Sequence, residues 1–299
     1  MAFEVGCLFQ ILQIATAFTL QFIAASLTNP FFLHLYEPQV VRLYLSLNLI
    51  PTNLNLPFEP LVFGYEINVH LILEYLAFFL GYRYYVFLRK RTTDTIVSTN
   101  RLSIILGAAI GAFLGSRIMG FLENPILPAD ALSVLSLFNN KTIMGGLFGG
   151  LLGVELAKKS IGEKQSSGDL FTFPIILGIF IGRIGCFLSG TNEFTYGKTT
   201  TFFLGMNLGD HLKRHPIALY ELLFLIVLFI FLWKLKSKNL KNGLLFQYFM
   251  IAYFSFRFLM EFLKPNLFFI AGLSSIQFLC LICLAYYHKT ILNLLKNAR

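Results

Sequence analysis

The sequence predicts an all-α fold, a polytopic membrane helical bundle with seven core transmembrane helices and an extra span at the N-terminus. Two observations predict it. Of the 299 residues, 56% are hydrophobic and only 13% are charged, whereas soluble domains carry roughly 25% charged residues. The apolar stretches are about 20 residues long, the length of a membrane-crossing helix, and lack the alternation of the roughly 10-residue strands of a membrane barrel.

Eight apolar segments are candidates for membrane spans. The seven core spans are 69–88, 102–122, 143–157, 171–190, 217–233, 243–263 and 268–288. Segment 5–28 precedes them and lacks the basic start and the cleavage site of a signal peptide, so we expect an extra span there. An artefact of an upstream start codon is the alternative. We therefore divide the chain into an N-terminal extension, 1–60, with the extra span and an external loop, and a transmembrane domain, 61–299.

The loops between the predicted spans alternate in charge. Loops 89–101, 158–170 and 234–242 and the C-terminal tail together carry fourteen of the 24 lysines and arginines. The positive-inside rule places these loops, and with them the C-terminus, in the cytoplasm. The net charge of +9 then reflects membrane topology and does not indicate a nucleic-acid partner.

Five ionisable residues converge on one depth of the predicted bundle, its outer half. They are Arg117, Arg183, Glu221, Arg257 and Glu261. An ionisable side chain in hydrocarbon costs roughly 2.5–3.5 kcal/mol, so such residues face the bundle interior and have partners. The excess of arginine indicates an anionic ligand. In a membrane the obvious one is a phospholipid phosphate, because a guanidinium binds phosphate through two parallel hydrogen bonds.

One helix face of the sixth core span carries three polar residues. Tyr253, Arg257 and Glu261 follow one another at four-residue intervals and therefore share that face. A local ion pair between Arg257 and Glu261 is the structural alternative to a ligand site. It leaves Arg117 and Arg183 unexplained, because neither has an acid at that spacing on its own helix.

The stretch RHPIALYE, residues 214–221, opens the fifth core span. Pro216 suits the first helical turn. His215 lies near the helix start, where a histidine is either a cap or surface residue or a base. Nearby arginines favour the neutral, basic form of its imidazole.

Glycines recur in the second and third core spans. Gly107, Gly111 and Gly115 are spaced four residues apart, and residues 145–153 read GGLFGGLLG. Small residues at this spacing allow two helices to approach closely in lipid. The same glycines, Gly145 and Gly146 included, can also leave bare backbone N–H groups that line a polar cavity, and the two interpretations are compatible.

Taken together, five stretches resemble the prolipoprotein diacylglyceryl transferase family of bacterial membrane enzymes. They are GSRIMG (115–120), GGLFGG (145–150), GDLFTFPIILGIFIGRIGCFLSG (168–190), RHPIALYELL (214–223) and YFSFRFLMEFLKP (253–265). They occur in family order across roughly residues 60–290. The GRIG, HPxxLYE and RFxxEF pieces are specific as a set, whereas any one of them alone is weak.

The resemblance implies a reaction, its substrates and its location. The family transfers the diacylglyceryl group of phosphatidylglycerol to the thiol of the lipobox cysteine in a prolipoprotein signal peptide and releases glycerol phosphate. The expected partners are phosphatidylglycerol, the prolipoprotein signal peptide and membrane lipid, with no nucleic acid, metal or cofactor. The expected location is the outer half of a bacterial inner membrane, with residues 61–299 as the transferase domain.

The resemblance also assigns roles to individual residues. The expected catalytic residues are Arg183, Arg257, Tyr253, Glu221 and His215. The expected substrate-binding residues are Arg117, Gly145, Gly146, Cys186, Gly190 and Glu261. The arginines would hold the lipid phosphate and stabilise the charge on the leaving group.

The chain departs from the family pattern at several polar positions. Many members have a histidine before GGL, where this chain has Met144, and an asparagine after GRIG, where it has Cys186. Thr191 replaces a glutamate, although Glu193 is nearby. His70 stands loosely at the position of a tyrosine in the first core span.

These departures leave the identity of the general base open. Because Met144 cannot take up a proton, the base must be another group. Tyr253 is the first candidate, since Arg257 one turn away stabilises its anion. His215 and His70 are the others. Cys186 is a weak candidate for a nucleophile, because the acceptor thiol belongs to the peptide.

Two other functions remain open on sequence alone. The chain can be a divergent paralogue with another acceptor or lipid donor, which Met144 and Cys186 would suit. It can also be a lipid or anion transporter, or a non-catalytic lipid-binding protein. A transporter needs a polar pathway through both leaflets, whereas the polar residues here are expected in the outer half only.

Overall fold

The fold is taken from a computed structural model, which describes residues 56–92, 96–123, 140–238, 240–266 and 271–297. The predicted extra span 5–28 lies outside the described residues, as does nearly all of the extension 1–60. The described part of the chain is mostly helical, in agreement with the predicted all-α class.

Eight α-helices make up most of the described chain. They are α1 (Val69–Arg91), α2 (Ser98–Glu123), α3 (Ile143–Ile161), α4 (Asp169–Leu188), α5 (Ile217–Lys236), α6 (Leu244–Met260), α7 (Ser275–Tyr286) and α8 (His288–Asn297). Short 3-10 turns follow α4 (Gly190–Asn192) and α6 (Glu261–Leu263). Two small antiparallel hairpins pair β1 (Leu61–Val62) with β2 (Tyr65–Glu66) and β3 (Met206–Asn207) with β4 (Lys213–Arg214). Helices α1 to α7 each overlap one of the seven predicted apolar segments.

Four of the described helices are long and apolar enough to cross a membrane on their own, namely α1, α2, α4 and α5. Helices α7 and α8 reach that length and apolarity only together, and they meet at an angle of 65°. Helix α6 has 17 residues, and α3 carries Glu155, Lys158 and Lys159. Helix length and apolarity therefore do not establish the predicted count of seven spans.

Local sequence explains where several helices begin and end. Asn68 and Thr142 cap α1 and α3, each accepting a hydrogen bond from a backbone N–H of the first turn. Ser274 and Gln277 form a reciprocal capping box at the start of α7. Gly162 ends α3 in the left-handed conformation, which glycine adopts without steric cost.

The core of the bundle lies among α4, α5, α6 and α7. Its fully buried members include Phe173, Leu225, Phe249, Phe254 and Cys280. A second, smaller cluster joins the start of α1 to the end of α4. Large apolar side chains are exposed on the outside, among them Phe78, Leu114, Leu156, Val227 and Trp233. Extensive exposed apolar surface is typical of a bundle embedded in lipid.

Helices α2 and α3 pack against each other through their glycines. A methyl group built on Gly111 would overlap the backbone oxygen of Gly149, and one built on Gly149 would overlap that of Gly111. Gly107 and Gly153 meet in the same way. The packing interpretation of the glycine stretches is confirmed, because the two helix backbones touch directly where Cβ atoms are missing.

The connection between α4 and α5, residues 189–216, is fixed to the bundle by its backbone. The N–H of Lys198 donates to the carbonyl of Leu263, in the turn after α6, at 2.7 Å. The N–H of Gly197 donates to the carbonyl of His215 at 2.9 Å. The connection therefore lies at the end of the bundle where α4 and α6 end and α5 begins.

We predict that Gly149→Ala destabilises the protein, because the added methyl group must displace the backbone of Gly111. Forced overpacking of this kind costs about 1–3 kcal/mol. Gly150→Ala is the matched control on the same helix, since its methyl group would lie 3.5 Å from the nearest atoms, an ordinary contact. Thermal unfolding of the purified variants in one detergent measures the difference. Equal unfolding midpoints would contradict the packing described here.

Candidate functional site

Four of the predicted ionisable residues meet at one end of the bundle. Helix α4 ends where α5 begins, and α6 runs back to the same end. Arg183 lies near the end of α4, Glu221 in the second turn of α5 and Arg257 in the last turn of α6. Glu261 follows in the 3-10 turn after α6. The up-and-down course of three helices thus brings together residues that are far apart in sequence.

The Glu221 carboxylate is the centre of this cluster and is fully buried. Its Oε1 accepts a hydrogen bond from the Tyr253 hydroxyl at 2.5 Å and lies 2.7 Å from Arg183 Nε. Its Oε2 accepts a hydrogen bond from Arg257 Nη1 at 3.0 Å. One carboxylate on α5 therefore joins α4 to α6.

Arg257 also has a second buried carboxylate. Its Nη2 donates to Glu261, as the four-residue spacing predicts. The side-chain amide of Asn266 donates to the same carboxylate. The local ion pair that was the structural alternative is therefore present, but Arg257 is shared between Glu261 and Glu221.

Two arginines and two glutamates make up this buried network, so its formal charges balance. The excess of positive charge predicted from the sequence is not found within these four groups. Burying each ion costs several kcal/mol, which only pairing and hydrogen bonding offset. Arg183 Nε lies beside Glu221 Oε1, whereas the Nε–H group of Arg257 is buried without a hydrogen-bond acceptor among the described residues. Buried donors of this kind call for an explanation, and an anionic ligand supplies one.

A line of polar contacts runs from α1 to the same cluster. Nδ1 of His70 lies 3.0 Å from Oε1 of Glu193, and its Nε2 lies 3.7 Å from the sulfur of Cys186. Arg183 Nη1 lies 3.6 Å from that sulfur. The hydrogen bond from His70 lowers the pKa of the Glu193 carboxyl, so this group is ionised at neutral pH. Cys186, a predicted binding residue, therefore lies between an imidazole and a guanidinium.

His215 has other neighbours. Its Nδ1 lies 3.2 Å from the hydroxyl oxygen of Tyr220, and its ring centre is 6.0 Å from that of Phe202. Burial lowers the pKa of His215, so its imidazole is neutral at pH 7. None of its contacts among the described residues reaches Arg183 or Glu221, and its catalytic role stays a prediction.

Helix α2 contributes to this end of the bundle in an unpredicted way. Arg117, which was expected in the cluster, is half-buried and lies 5.4 Å from the centre of the Phe113 ring on its own helix. The last residue of α2, Glu123, instead accepts a hydrogen bond from Lys264 at 2.6 Å. Glu123 therefore links α2 to the turn after α6, and the substrate-binding role of Arg117 stays a prediction.

The structure gives two of the three predicted binding glycines a packing role. A methyl group on Gly145 would overlap the backbone oxygen of Gly115. Gly190 has φ +53°, in the left-handed region, and a methyl group there would overlap the carbonyl oxygen of Leu208. Gly146 has more room, with its nearest neighbours at 3.7 Å. Chain packing thus requires a glycine at 145 and at 190, and the substrate-binding role of all three glycines stays a prediction.

Two members of the cluster, Lys264 and Asn266, were missed by sequence reasoning. Lys264 follows Glu261 by three residues, a spacing that keeps side chains on one helical face, so extending the periodicity would have found it. Asn266 comes after the turn has ended. The helical spacing does not extend to Asn266, so its contact with Glu261 could be seen only in the folded chain.

A small cleft opens beside Cys186, where α4, the 189–216 connection and the start of α5 meet. Its lining is largely apolar and includes Phe187, Leu208 and Ile217.

We predict that Glu221→Gln destabilises the protein strongly, because a neutral amide leaves two buried guanidinium groups short of a negative charge. Breaking a buried ion pair costs about 3–5 kcal/mol. Glu155→Gln is the matched control, since this exposed carboxylate pairs with Lys158 on the surface of α3, and such pairs contribute about 0–1 kcal/mol. Thermal unfolding in detergent compares the two. A Glu221→Gln protein as stable as the control would contradict the central role of Glu221.

Comparison with known proteins agrees with the sequence resemblance. Residues 60–291 match the family model described as prolipoprotein diacylglyceryl transferase. A phosphatidylglycerol–prolipoprotein diacylglyceryl transferase of Nitratidesulfovibrio vulgaris (strain DP4) is 34% identical over 181 residues, which cover 57% of this chain and 64% of the relative. The chain thus spans less than two thirds of that relative's length.

Two further relatives with the same name show similar agreement. The protein of Ehrlichia canis (strain Jake) is 32% identical over 61% of this chain and 69% of its own length. The protein of Bordetella bronchiseptica is 34% identical over 63% of this chain and 72% of its own length. The family model matches most of the length of this chain. The chain therefore belongs to the prolipoprotein diacylglyceryl transferase family.

Proposed function

We propose that this chain transfers the diacylglyceryl group of phosphatidylglycerol to the thiol of the lipobox cysteine of a prolipoprotein and releases glycerol phosphate. The observation that carries the proposal is a pair of buried arginines, Arg183 and Arg257, held on the Glu221 carboxylate inside a bundle with an apolar exterior. The name of the relatives, phosphatidylglycerol–prolipoprotein diacylglyceryl transferase, states the same lipid donor and protein acceptor.

Arg183 is the arginine best placed to meet the phosphate of the lipid. Its side chain keeps 8% of its surface exposed, whereas that of Glu221 is wholly enclosed. The Nε–H group of Arg257 is a buried donor that has no hydrogen-bond acceptor among the described residues. A guanidinium offers parallel donors that match two phosphate oxygens. The headgroup phosphate therefore binds at Arg183, with Arg257 behind it.

The proposed transfer forms one bond and breaks one. The acceptor sulfur, as a thiolate, forms a C–S bond to the terminal glyceryl carbon. The C–O bond from that carbon to the phosphate breaks, and its electron pair stays on the phosphate oxygen. The leaving glycerol phosphate thus gains a negative charge, which the guanidinium groups stabilise more strongly than they stabilise the diester. Arg183 and Arg257 therefore lower the barrier as well as bind the lipid.

Glu221, Glu261 and Tyr253 position the arginines in this proposal. Both guanidinium groups are oriented by carboxylates before any lipid arrives, so little reorganisation is needed during the reaction. The Tyr253 ring stacks on Phe249, with ring centres 5.8 Å apart, which fixes the hydroxyl that donates to Glu221.

The same proposal places the chain in the bacterial inner membrane with all seven core segments crossing. The loops that carry fourteen basic residues, and the C-terminus, then face the cytoplasm. The charged residues of α3, Glu155, Lys158 and Lys159, lie in its second half, which is its cytoplasmic half in this orientation. The arginine cluster lies in the outer half, where the lipid headgroup and an exported signal peptide are both within reach.

We predict that the chain restores lipoprotein lipidation in a bacterium depleted of its own transferase, followed as a gel shift of a reporter prolipoprotein. Arg183→Ala and Arg257→Ala should not restore it, because removing such a donor costs about 10²–10³-fold in rate. Arg183→Lys should also fail, since an ammonium cannot present two parallel donors to phosphate.

The matched control for this experiment is Arg91→Ala, which removes an exposed arginine that lies over the Phe87 ring at the other end of α1. It should restore lipidation fully. Membrane fractionation checks that every variant is inserted. An inserted wild-type chain that fails to restore lipidation would refute the proposed reaction and favour another acceptor or lipid donor, or a binding or transport function.

A further inference from the structure

The line formed by Glu193, His70 and Cys186 has no part in the phosphate chemistry described above. Carboxylate, imidazole and sulfur follow one another at 3.0 Å and 3.7 Å. The sulfur then contacts Arg183 Nη1 at 3.6 Å. One sulfur atom therefore separates an imidazole from the proposed phosphate site.

Glu193 determines which nitrogen of His70 carries the proton. Because its carboxylate is ionised at neutral pH, it accepts a hydrogen bond from Nδ1–H. In the neutral ring the lone pair then resides on Nε2. Nε2 is the nitrogen that faces the Cys186 sulfur, so the basic side of the imidazole is directed toward Arg183.

The imidazole of His70 has a defined place in the fold. A methyl group on Gly185 would come within 2.9 Å of Cδ2 of His70, so the absence of a side chain there lets the ring lie against α4. Glu193 holds its Nδ1 edge. The His70 side chain is 14% exposed, which makes it enclosed but still reachable from outside.

The two other candidate bases are less well placed. Tyr253 is fully buried and its hydroxyl donates to Glu221, so its anion would face that carboxylate at 2.5 Å. His215 is engaged with the Tyr220 hydroxyl, and none of its contacts among the described residues reaches Arg183. Tyr253 is joined to Arg183 through the buried Glu221 carboxylate, whereas His70 is joined to it through the sulfur of Cys186.

We infer that His70, held by Glu193, is the base that takes the proton of the acceptor thiol. The inference rests on the proposed function and completes its proton balance. The S–H bond of the acceptor breaks, the proton goes to Nε2, and the sulfur keeps the electron pair with which it attacks the glyceryl carbon. The imidazolium then gives the proton to the departing glycerol phosphate, which regenerates His70. Glu193 is a positioning residue, since it acts through His70.

Cys186 marks the place where the acceptor sulfur fits. Its own sulfur contacts both the imidazole and the guanidinium. A thiol is a weak hydrogen-bonding group, so the Cys186 contact leaves Nε2 able to accept the proton of a second thiol. A thiol in this space has a base on one side and, on the other, a positive charge that favours its thiolate.

The test uses the full-length protein in detergent micelles with phosphatidylglycerol and a synthetic signal peptide that carries a lipobox cysteine. His70→Ala should lower kcat by about 10²–10⁴-fold with little change in KM for the lipid. Added imidazole should restore part of the kcat of His70→Ala but none of that of Arg183→Ala. Glu193→Gln should lower kcat by a smaller factor than His70→Ala does. The matched control, His288→Ala, removes an exposed histidine whose Nδ1 lies beside the carbonyl of Ala285 in its own segment of chain, and should keep the wild-type kcat.

Three results would overturn the inference while leaving the proposed function intact. The first is a His70→Ala protein with wild-type kcat. The second is a His70→Ala protein whose lower kcat is not restored by imidazole and whose KM is changed as much as its kcat. That result would assign His70 a structural role. The third is a lipid adduct on Cys186 after incubation with phosphatidylglycerol alone, which would make Cys186 the nucleophile. A wild-type protein that binds phosphatidylglycerol but transfers nothing would refute the proposed function, and the inference with it.

Discussion

The buried carboxylate of Glu221 is the interaction on which the rest of the site depends. From α5 it contacts Arg183 of α4 and Tyr253 of α6 through Oε1, and Arg257 of α6 through Oε2. Each of these ions would be costly in the interior on its own, and together they are tolerable only because every charge has a partner. The helices must therefore keep a fixed arrangement at this end, and the guanidinium groups are oriented before a ligand arrives.

The last turns of α4 bring three separate requirements into one short stretch of sequence. Arg183 supplies the charge that pairs with Glu221, Gly185 leaves the space in which the ring of His70 lies, and Cys186 contacts both groups. The arginine proposed to bind the phosphate and the imidazole proposed to take the thiol proton, which lies on α1, thus meet at the end of α4. This proximity suits a reaction in which the nucleophile must form beside the leaving group.

Sequence reasoning predicted the apolar helices and the meeting of Glu221 with two arginines, because segment length, direction and the cost of buried charge fix the depth of a residue. Depth alone does not fix the direction in which a side chain points around its helix. Arg117 was predicted at the depth of the cluster, and the contact that the structure shows for it is with the Phe113 ring of its own helix. His70 and Glu193 are 123 residues apart in sequence, and no periodicity connects them, so their contact could be seen only in the folded chain.

The most direct test of the central claim, that the buried arginines bind the phosphate of a lipid, is native mass spectrometry of retained lipids. The purified chain would be offered phosphatidylglycerol and diacylglycerol with identical acyl chains, which differ only in the phosphate-containing headgroup. The account predicts that the wild type retains phosphatidylglycerol in preference to diacylglycerol and that Arg183→Gln loses this preference while still retaining lipid. The same ratio of the two lipids on both proteins would contradict it.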